Sequence, residues 1–263
     1  MLIINADDWG RDGASTDTAL ACFECGRISS ASAMVFMEGS LKAAEIANSR
    51  GMDIGLHINF TQQFDSPGCP AQLAKSQGRI RRFLKSGKYA LLLYNPFLRK
   101  HFRTVFEEQL KEFTRVYSRP PSHFDGHQHM HLSSNMLVQR IIPAGQKVRR
   151  SFSFRPGEKS VGNRAYRRIV DRKLARRYHL TDFFFALSNN LEPDKLHPLL
   201  ALGRTANVEL MTHTWNRPEY DCLMSETFQQ LSRGIELGGY AKLLTRDNSA
   251  ETREVPAGMT KLS

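Results

Sequence analysis

No stretch of this sequence is apolar for long enough to cross a bilayer. A spanning helix needs roughly 20 apolar residues, and the longest runs here, 89–94 and 183–187, fall far short. Cysteine is sparse. Of the four, Cys22 and Cys25 have C-x-x-C spacing but sit in a helical pattern without a βαβ redox context, and Cys69 and Cys222 stand alone. A four-cysteine zinc site therefore lacks its second pair, and reduced, mostly buried thiols are expected. Repeats at solenoid spacing and low-complexity tracts are missing as well. The opening residues MLIINADDWG carry neither a basic n-region nor a signal-peptide core. The expected location is the cytoplasm, with peripheral association at the inner face of the membrane as its variant.

What is present is an ordinary globular composition, 41% hydrophobic and 24% charged over 263 residues, which argues against disorder or a fibrous repeat. That length buries a core without disulfides or structural metal. The charge is less ordinary, with 37 Lys and Arg against 26 Asp and Glu, net +11. It invites nucleic acid, an anionic membrane surface or a phosphorylated substrate. Most of it is local. Residues 147–177 hold twelve Lys and Arg against Glu158 and Asp171, a net of +10, and residues 79–103 hold eight with no acid, +8. The remainder is therefore acidic on balance. The basic stretch 79–103 interleaves Phe83, Leu84, Tyr89, Tyr94, Phe97 and Leu98 with its charges, as a surface-lying membrane segment would.

Short apolar runs alternate with longer amphipathic ones. Strands are expected at 2–5, 33–36, 53–58, 122–125, 150–154, 181–185 and 206–211, with 241–244 as an eighth. Helices are expected near 12–25, 40–49, 100–117, 134–146, 163–177, 193–202 and 225–237. This alternation predicts an α/β fold of seven or eight mainly parallel strands, barrel-like and possibly a distorted TIM type, with an open doubly wound sheet as the alternative. A single domain over 1–246 is expected, with an inserted loop region at 62–99 rich in Gly and Pro, and a polar C-terminal tail at 247–263.

Four polar clusters each follow an apolar run, at the expected carboxyl end of a strand, the end where parallel barrels gather their chemistry. They are Asp7-Asp8-Trp9-Gly10, Gly55-Leu56-His57, residues 123–131 (HFDGHQHMH) and residues 208–215 (VELMTHTW). Adjacent carboxylates alone usually mark a turn or a cap. At the end of a buried strand, two like charges call for a cation or for donors. Four of the nine His fall within 123–131. His127 and His131 would share a helix face, and His127 and His129 a strand face. Together the clusters point to a divalent metal on Asp and His ligands with positions left open, the pattern of a catalytic rather than a structural site. Zn²⁺ fits these donors, and Mn²⁺, Co²⁺ or Mg²⁺ are tolerated.

In these four blocks the sequence resembles the YdjC-type carbohydrate deacetylases, the family of chitooligosaccharide deacetylase and the hopanoid-associated HpnK proteins. The family words N-A-D-D-[FW]-G, G-L-H, D-[SG]-H-x-H-x-H and E-L-x-x-H stand here at 5–10, 55–57, 125–131 and 209–213, in order. The resemblance implies a deacetylase barrel and one divalent metal, Zn or Mg foremost, held by Asp8, His57 and His127. It also implies Asp7 as the base and His213 as the acid. A looser match puts Arg155 beside the substrate. Where the family commonly has His-Pro-Gly, this chain has His213-Thr214-Trp215, so one pocket wall differs.

The expected reaction is hydrolysis of an N-acetyl group from an amino sugar, soluble or lipid-linked. Asp125 is expected to orient one of the His, and His129 and His131 to give support or touch substrate. Trp9 and Trp215 are candidate sugar-stacking surfaces. Expected partners are the N-acetylated sugar and an anionic membrane or lipid-linked substrate; no specific nucleic acid is expected, and a homodimer is the self-association considered. A metal-dependent phosphoesterase is the alternative enzyme, although a second carboxylate set is missing. A basic binding protein for nucleic acid or membrane is the non-enzymatic alternative, but no nucleic-acid-binding signature accompanies the charge.

Overall fold

The computed structural model describes residues 1–87, 89–155, 157–243 and 255. Its elements are β1 (Leu2–Trp9), α1 (Gly13–Glu24), β2 (Ser30–Ala33), α2 (Ser40–Arg50), β3 (Ile54–Ile58), α3 (Ala71–Leu84), α4 (Arg99–Tyr117), β4 (Phe124–Gly126), α5 (Ser134–Gln139), α6 (Val161–Ala175), β5 (Phe183–Ala186), α7 (Pro193–Leu202), β6 (Val208–Thr212), α8 (Arg217–Met224) and α9 (Glu226–Ser232). The strands lie in one sheet in the order β4-β3-β2-β1-β6-β5. The β1–β6, β2–β3, β3–β4 and β5–β6 pairs all run parallel. Every residue of all six strands is buried, as a parallel sheet covered on both faces requires. This is the α/β class that the sequence predicts.

The strand count is six rather than seven or eight, and no pairing joins the end strands β4 and β5 among the described residues. Two expected strands are not strands. At 150–154, Ser153 N–H donates to the Phe184 carbonyl at 2.8 Å, but the Phe184 N–H in turn donates to the Ser153 hydroxyl oxygen at 3.1 Å. A side chain there replaces the backbone rung. Of the segment 241–244, Ala241 and Lys242 belong to a 3-10 turn, Tyr240–Lys242, and Leu244 lies outside the described residues. Helix 134–146 stops early, because Arg140 takes a left-handed backbone at φ 52° ahead of Pro143. The tail at 247–263 lies outside the described residues, Val255 excepted.

The chain packs as two compact units. One comprises Met1–Ala6, Thr18–Ser30 and the chain from Ala144 onward; the other comprises Asp7–Asp17 and Ala31–Pro143. In the second unit, the stretch 62–99 holds α3, a helix of 14 residues. It buries Leu73, Ile80 and Leu84 at helical spacing and packs on α4, which also contacts α2 and β3. The inward face of α4 carries Phe102, Val105, Phe106, Phe113 and Tyr117, a stripe of helical period. Phe102 meets Phe60 at 4.9 Å between ring centroids, and Phe106 meets Phe124 at 6.0 Å. This packing braces the strands that carry the His clusters. In the first unit, Phe184, Ala186 and Met211 form a core against Phe152, while Ile3 packs with Tyr240 and Leu243.

Candidate metal centre

The second unit contains one dense polar cluster, assembled from the ends of three strands. Asp8 is the penultimate residue of β1 and has φ 67°. A left-handed backbone is uncommon outside glycine but best tolerated by Asn and Asp. Successive side chains of an extended strand face opposite ways, and the positive φ of Asp8 adds a local twist to that alternation. Gly10 follows at φ 80°, and a Cβ there would stand 3.2 Å from the Met34 carbonyl and from Ala43 Cβ. Both its conformation and its crowding favour glycine at the end of the N-A-D-D-W-G word.

Asp8 is buried and ringed by donors. His127 Nδ1 lies 3.0 Å from its Oδ1, His57 Nε2 lies 3.5 Å from the same oxygen, and Arg11 Nη1 lies 2.6 Å from Oδ2. Burial alone would raise the Asp8 pKa. The His127 hydrogen bond and the charges of His57, His127 and Arg11 outweigh it and hold the carboxyl well below the usual range.

His57 is oriented from its other side. It pairs in register with Asp125 across β3 and β4, so their side chains stand together on one face of the sheet. Its Nδ1 meets Asp125 Oδ1 at 2.9 Å, which leaves Nε2 aimed at Asp8. Burial pushes the imidazole pKa down, yet Asp125, Asp7 and Asp8 together raise it to about 9. A carboxylate that fixes the tautomer and tilt of a histidine is the usual support of a metal-binding imidazole.

Behind Asp125 stands a second row. The Ser32 hydroxyl donates to Asp125 Oδ2 at 2.8 Å and lies 3.0 Å from His123 Nε2. A hydroxyl that gives its proton to a carboxylate must accept from its other neighbour, which fits the Nε2–H tautomer of His123. The Ser122 hydroxyl, 3.0 Å from His123 Nδ1, completes the chain. Ser32 pairs in register with Gly55, and the His123 ring fills the space where a Gly55 Cβ would lie, 2.3 Å away. The glycine of the G-L-H word therefore makes room for the imidazole that supports Asp125. Gly126 is likewise closed to larger residues, since its Cβ would stand 2.8 Å from His131 N.

Asp8, His57 and His127 present ligand atoms that all lie within 4.8 Å of one another. A second such group, Asp7, His57 and Asp125, shares His57. The first fits an ion better. It offers two imidazoles and one carboxylate, and His127 is partly open to solvent; in the second, Asp125 is already engaged by His57 Nδ1 and Ser32. His129 and His131 belong to neither group among the described residues. They face each other at 6.4 Å between centroids, and left-handed backbone at Gln128 and His129 turns the chain between His127 and His131. Trp9, a candidate for sugar stacking, is instead wholly buried, and its Nε1 donates to the Ala43 carbonyl at 3.2 Å.

The remaining candidates lie in the first unit. His213 follows β6; its N–H donates to Glu219 Oε2 at 3.0 Å, and its Nδ1 lies 3.8 Å from Oε1. The exposed Trp215 ring stands edge-on to it at 5.5 Å. Arg155 is buried, donates to the Lys195 carbonyl, and through its N–H meets Glu158 at 2.8 Å. Pro156, its neighbour in the looser match, lies outside the described residues. Sequence reasoning missed the roles of Ser32, His123 and Glu219. His123 was visible within the His cluster, whereas Ser32 and Glu219 carried no signal of their own. Glu209 of the E-L-x-x-H word is fully buried, with Arg149 Nε at 2.8 Å and the Tyr240 hydroxyl on its other oxygen.

The fold and this cluster define a parallel α/β protein with a candidate single-ion centre. A family model described as YdjC-like protein matches residues 1–234, and the chain belongs to that family. It is 29% identical to a carbohydrate deacetylase of Mus musculus over 63% of this chain and 53% of that one. It is 28% identical to a chitooligosaccharide deacetylase of Serratia marcescens over 55% of this chain and 56% of that one. The chain thus spans about half the length of the curated relatives it matches. A crystal structure from Enterococcus faecalis V583, described as a cellobiose-phosphate cleavage protein, shares the fold with a TM-score of 0.63 at 18% identity, covering 93% of this chain and 98% of its own.

Proposed function

We propose that this chain is a metal-dependent hydrolase that removes the acetyl group from an N-acetylated amino sugar. One observation carries the reading: the Asp8, His57 and His127 ligand atoms converge within 4.8 Å, in a family whose matched relatives are named carbohydrate and chitooligosaccharide deacetylases. Those three side chains would hold one divalent ion, Zn²⁺ or Mg²⁺ foremost, with Mn²⁺ and Co²⁺ compatible with the same donors. Such an ion, when bound, supplies a Lewis acid for the acetyl carbonyl and lowers the pKa of water.

The rest of the chemistry falls to the chain itself. Asp7, grouped with His57 and Asp125, takes a proton from the attacking water. His213 gives a proton to the amine nitrogen as the C–N bond breaks. Asp125 keeps the His57 tautomer, and the exposed Trp215 indole suits the apolar face of a sugar ring.

The test is acetate release from a panel of soluble and lipid-linked N-acetylhexosamines, with phosphate release from sugar phosphates followed in parallel. Acetate is the expected product. Asp7→Asn should lower its rate by about 10²–10⁴-fold and leave metal content unchanged. Normal turnover by Asp7→Asn would remove the base assignment, and phosphate release alone would replace the deacetylase reading.

A further inference from the structure

Single exposed apolar side chains are ordinary on a soluble protein, and it is their clustering that signals an interaction surface. Tyr89, Leu92, Leu93, Tyr94 and Phe97 are all exposed within one short segment, Phe97 by 90%, Tyr89 by 65% and Leu93 by 60%. Two 3-10 turns, Ala90–Leu92 and Pro96–Leu98, carry this stretch, and Ala90 and Leu98 turn inward. The backbone between them is pinned to α5. The Asn135 side chain accepts from Asn95 N–H at 3.0 Å and donates to the Asn95 carbonyl at 2.8 Å, and the Ser134 hydroxyl donates to the Leu92 carbonyl at 2.7 Å. The apolar row is therefore displayed by fixed hydrogen bonds, on the helix that follows the His127–Leu132 turn.

A basic rim surrounds it. Residues 79–103 contain eight Lys and Arg and no acid, and Arg79, Arg82, Lys85, Arg99, Lys100 and Arg103 are exposed. We propose that residues 89–103 form a docking surface for an anionic lipid bilayer. Tyr89, Leu93 and Phe97 enter the boundary between headgroups and acyl chains, while Arg99, Lys100 and Arg103 meet lipid phosphates. Charge decides among the occupants. A second copy of this chain, net +11, would bring the same basic rim against its own. Nucleic acid would match the charge and could stack bases on the aromatic rings, but it would leave Leu92 and Leu93 in water. An anionic bilayer satisfies both.

The same combination recurs on α6, where Val161, Tyr166 and Ile169 are exposed beside Arg168, Arg172 and Lys173. Among the described residues, eight of the eleven exposed large hydrophobics lie in these two segments, which are also the two that hold the basic excess. The surface does not depend on the reaction proposed above, so either can fail without the other.

The experiment is co-sedimentation of the full chain with phosphatidylcholine vesicles, with and without phosphatidylglycerol, over a range of salt. Binding is expected only with phosphatidylglycerol and should weaken as salt rises. Leu93→Ser with Phe97→Ser should lower partitioning about tenfold or more, and so should Arg99→Gln with Lys100→Gln. All four positions are exposed, and circular dichroism should show an unchanged fold. The proposal is overturned if wild type ignores anionic vesicles. It is equally overturned if the Leu93/Phe97 variant binds them normally, if only an Ile169→Ser variant on α6 loses binding, or if the chain shifts DNA while leaving vesicles in solution.

Discussion

Two buried strand carboxylates, Asp8 in one unit and Glu209 in the other, show how different partners give carboxylates different work. Glu209 is matched by an arginine, Arg149, and by the Tyr240 hydroxyl, all fully buried. Arginine keeps its proton at any pH a protein meets, so this pair is fixed and joins the chain near β6 to the Tyr240–Lys242 turn. Lys147 adds bonds to the Tyr240 and Ala241 carbonyls at 2.5 and 3.0 Å. Asp8 also has an arginine, Arg11, but its other oxygen faces two imidazoles. Imidazoles can exchange protons for a metal. The first arrangement holds the fold together, and the second is suited to chemistry.

The contrast can be broken from either side. The largest effect is expected from His57→Ala, which should abolish both acetate release and metal retention while the chain stays folded. Next is Glu209→Ala, which removes the carboxylate that faces the buried Arg149 guanidinium. It should cost about 3–5 kcal/mol of stability, read by denaturant unfolding, while the surviving folded fraction still binds metal. If Glu209→Ala instead removed the metal and left stability intact, the two roles would be reversed.

Smaller effects test the support behind Asp125. Ser32→Ala removes the hydroxyl that bridges Asp125 and His123, and should cost about 1–3 kcal/mol as well as weakening metal affinity about 10–100-fold. Titration of the metal-stripped protein gives a further check. The His57 pKa is raised above its ordinary value of 6.5 to about 9. Its contribution to stability is therefore fully present below about pH 6.5 and lost as pH rises through about 9. Metal affinity should climb over the same window, because the ion displaces the proton. The smallest effect concerns thiols: Cys22 is buried, and burial raises its pKa to about 12, whereas Cys25 is exposed. Iodoacetamide at mildly alkaline pH should label Cys25 well before Cys22, as peptide mapping would show.

Much of the candidate centre could be read from the chain because polar residues interrupt apolar strands. Asp7 and Asp8 close LIINA, His57 lies inside IGLHI, and Asp125 precedes the His run. Each lies within or at the end of its strand, as expected. What stayed hidden depends on neighbours across the sheet. Nothing in the run Ser30–Ala33 marks Ser32 as the prop for Asp125, and Gly55 looks like any strand glycine until the His123 ring is seen above it. The positive φ of Asp8 is a tertiary constraint without a local sequence signature. The expected strand at 150–154 had the right apolar alternation, but a Ser153 side-chain bond took the place of the ladder. Helix α3, 14 residues long, lay in a stretch read as an inserted loop with short helices, because its Gly78 and the flanking Gly and Pro masked the length of a buried stripe of helical period.

The account rests on Asp8, His57 and His127 holding an ion, and elemental analysis after equilibrium dialysis against a divalent metal tests that most directly. Wild-type chain should retain one ion per molecule, and His57→Ala and His127→Ala chains, shown to be folded, should retain almost none. Equal metal content in all three would contradict the assignment.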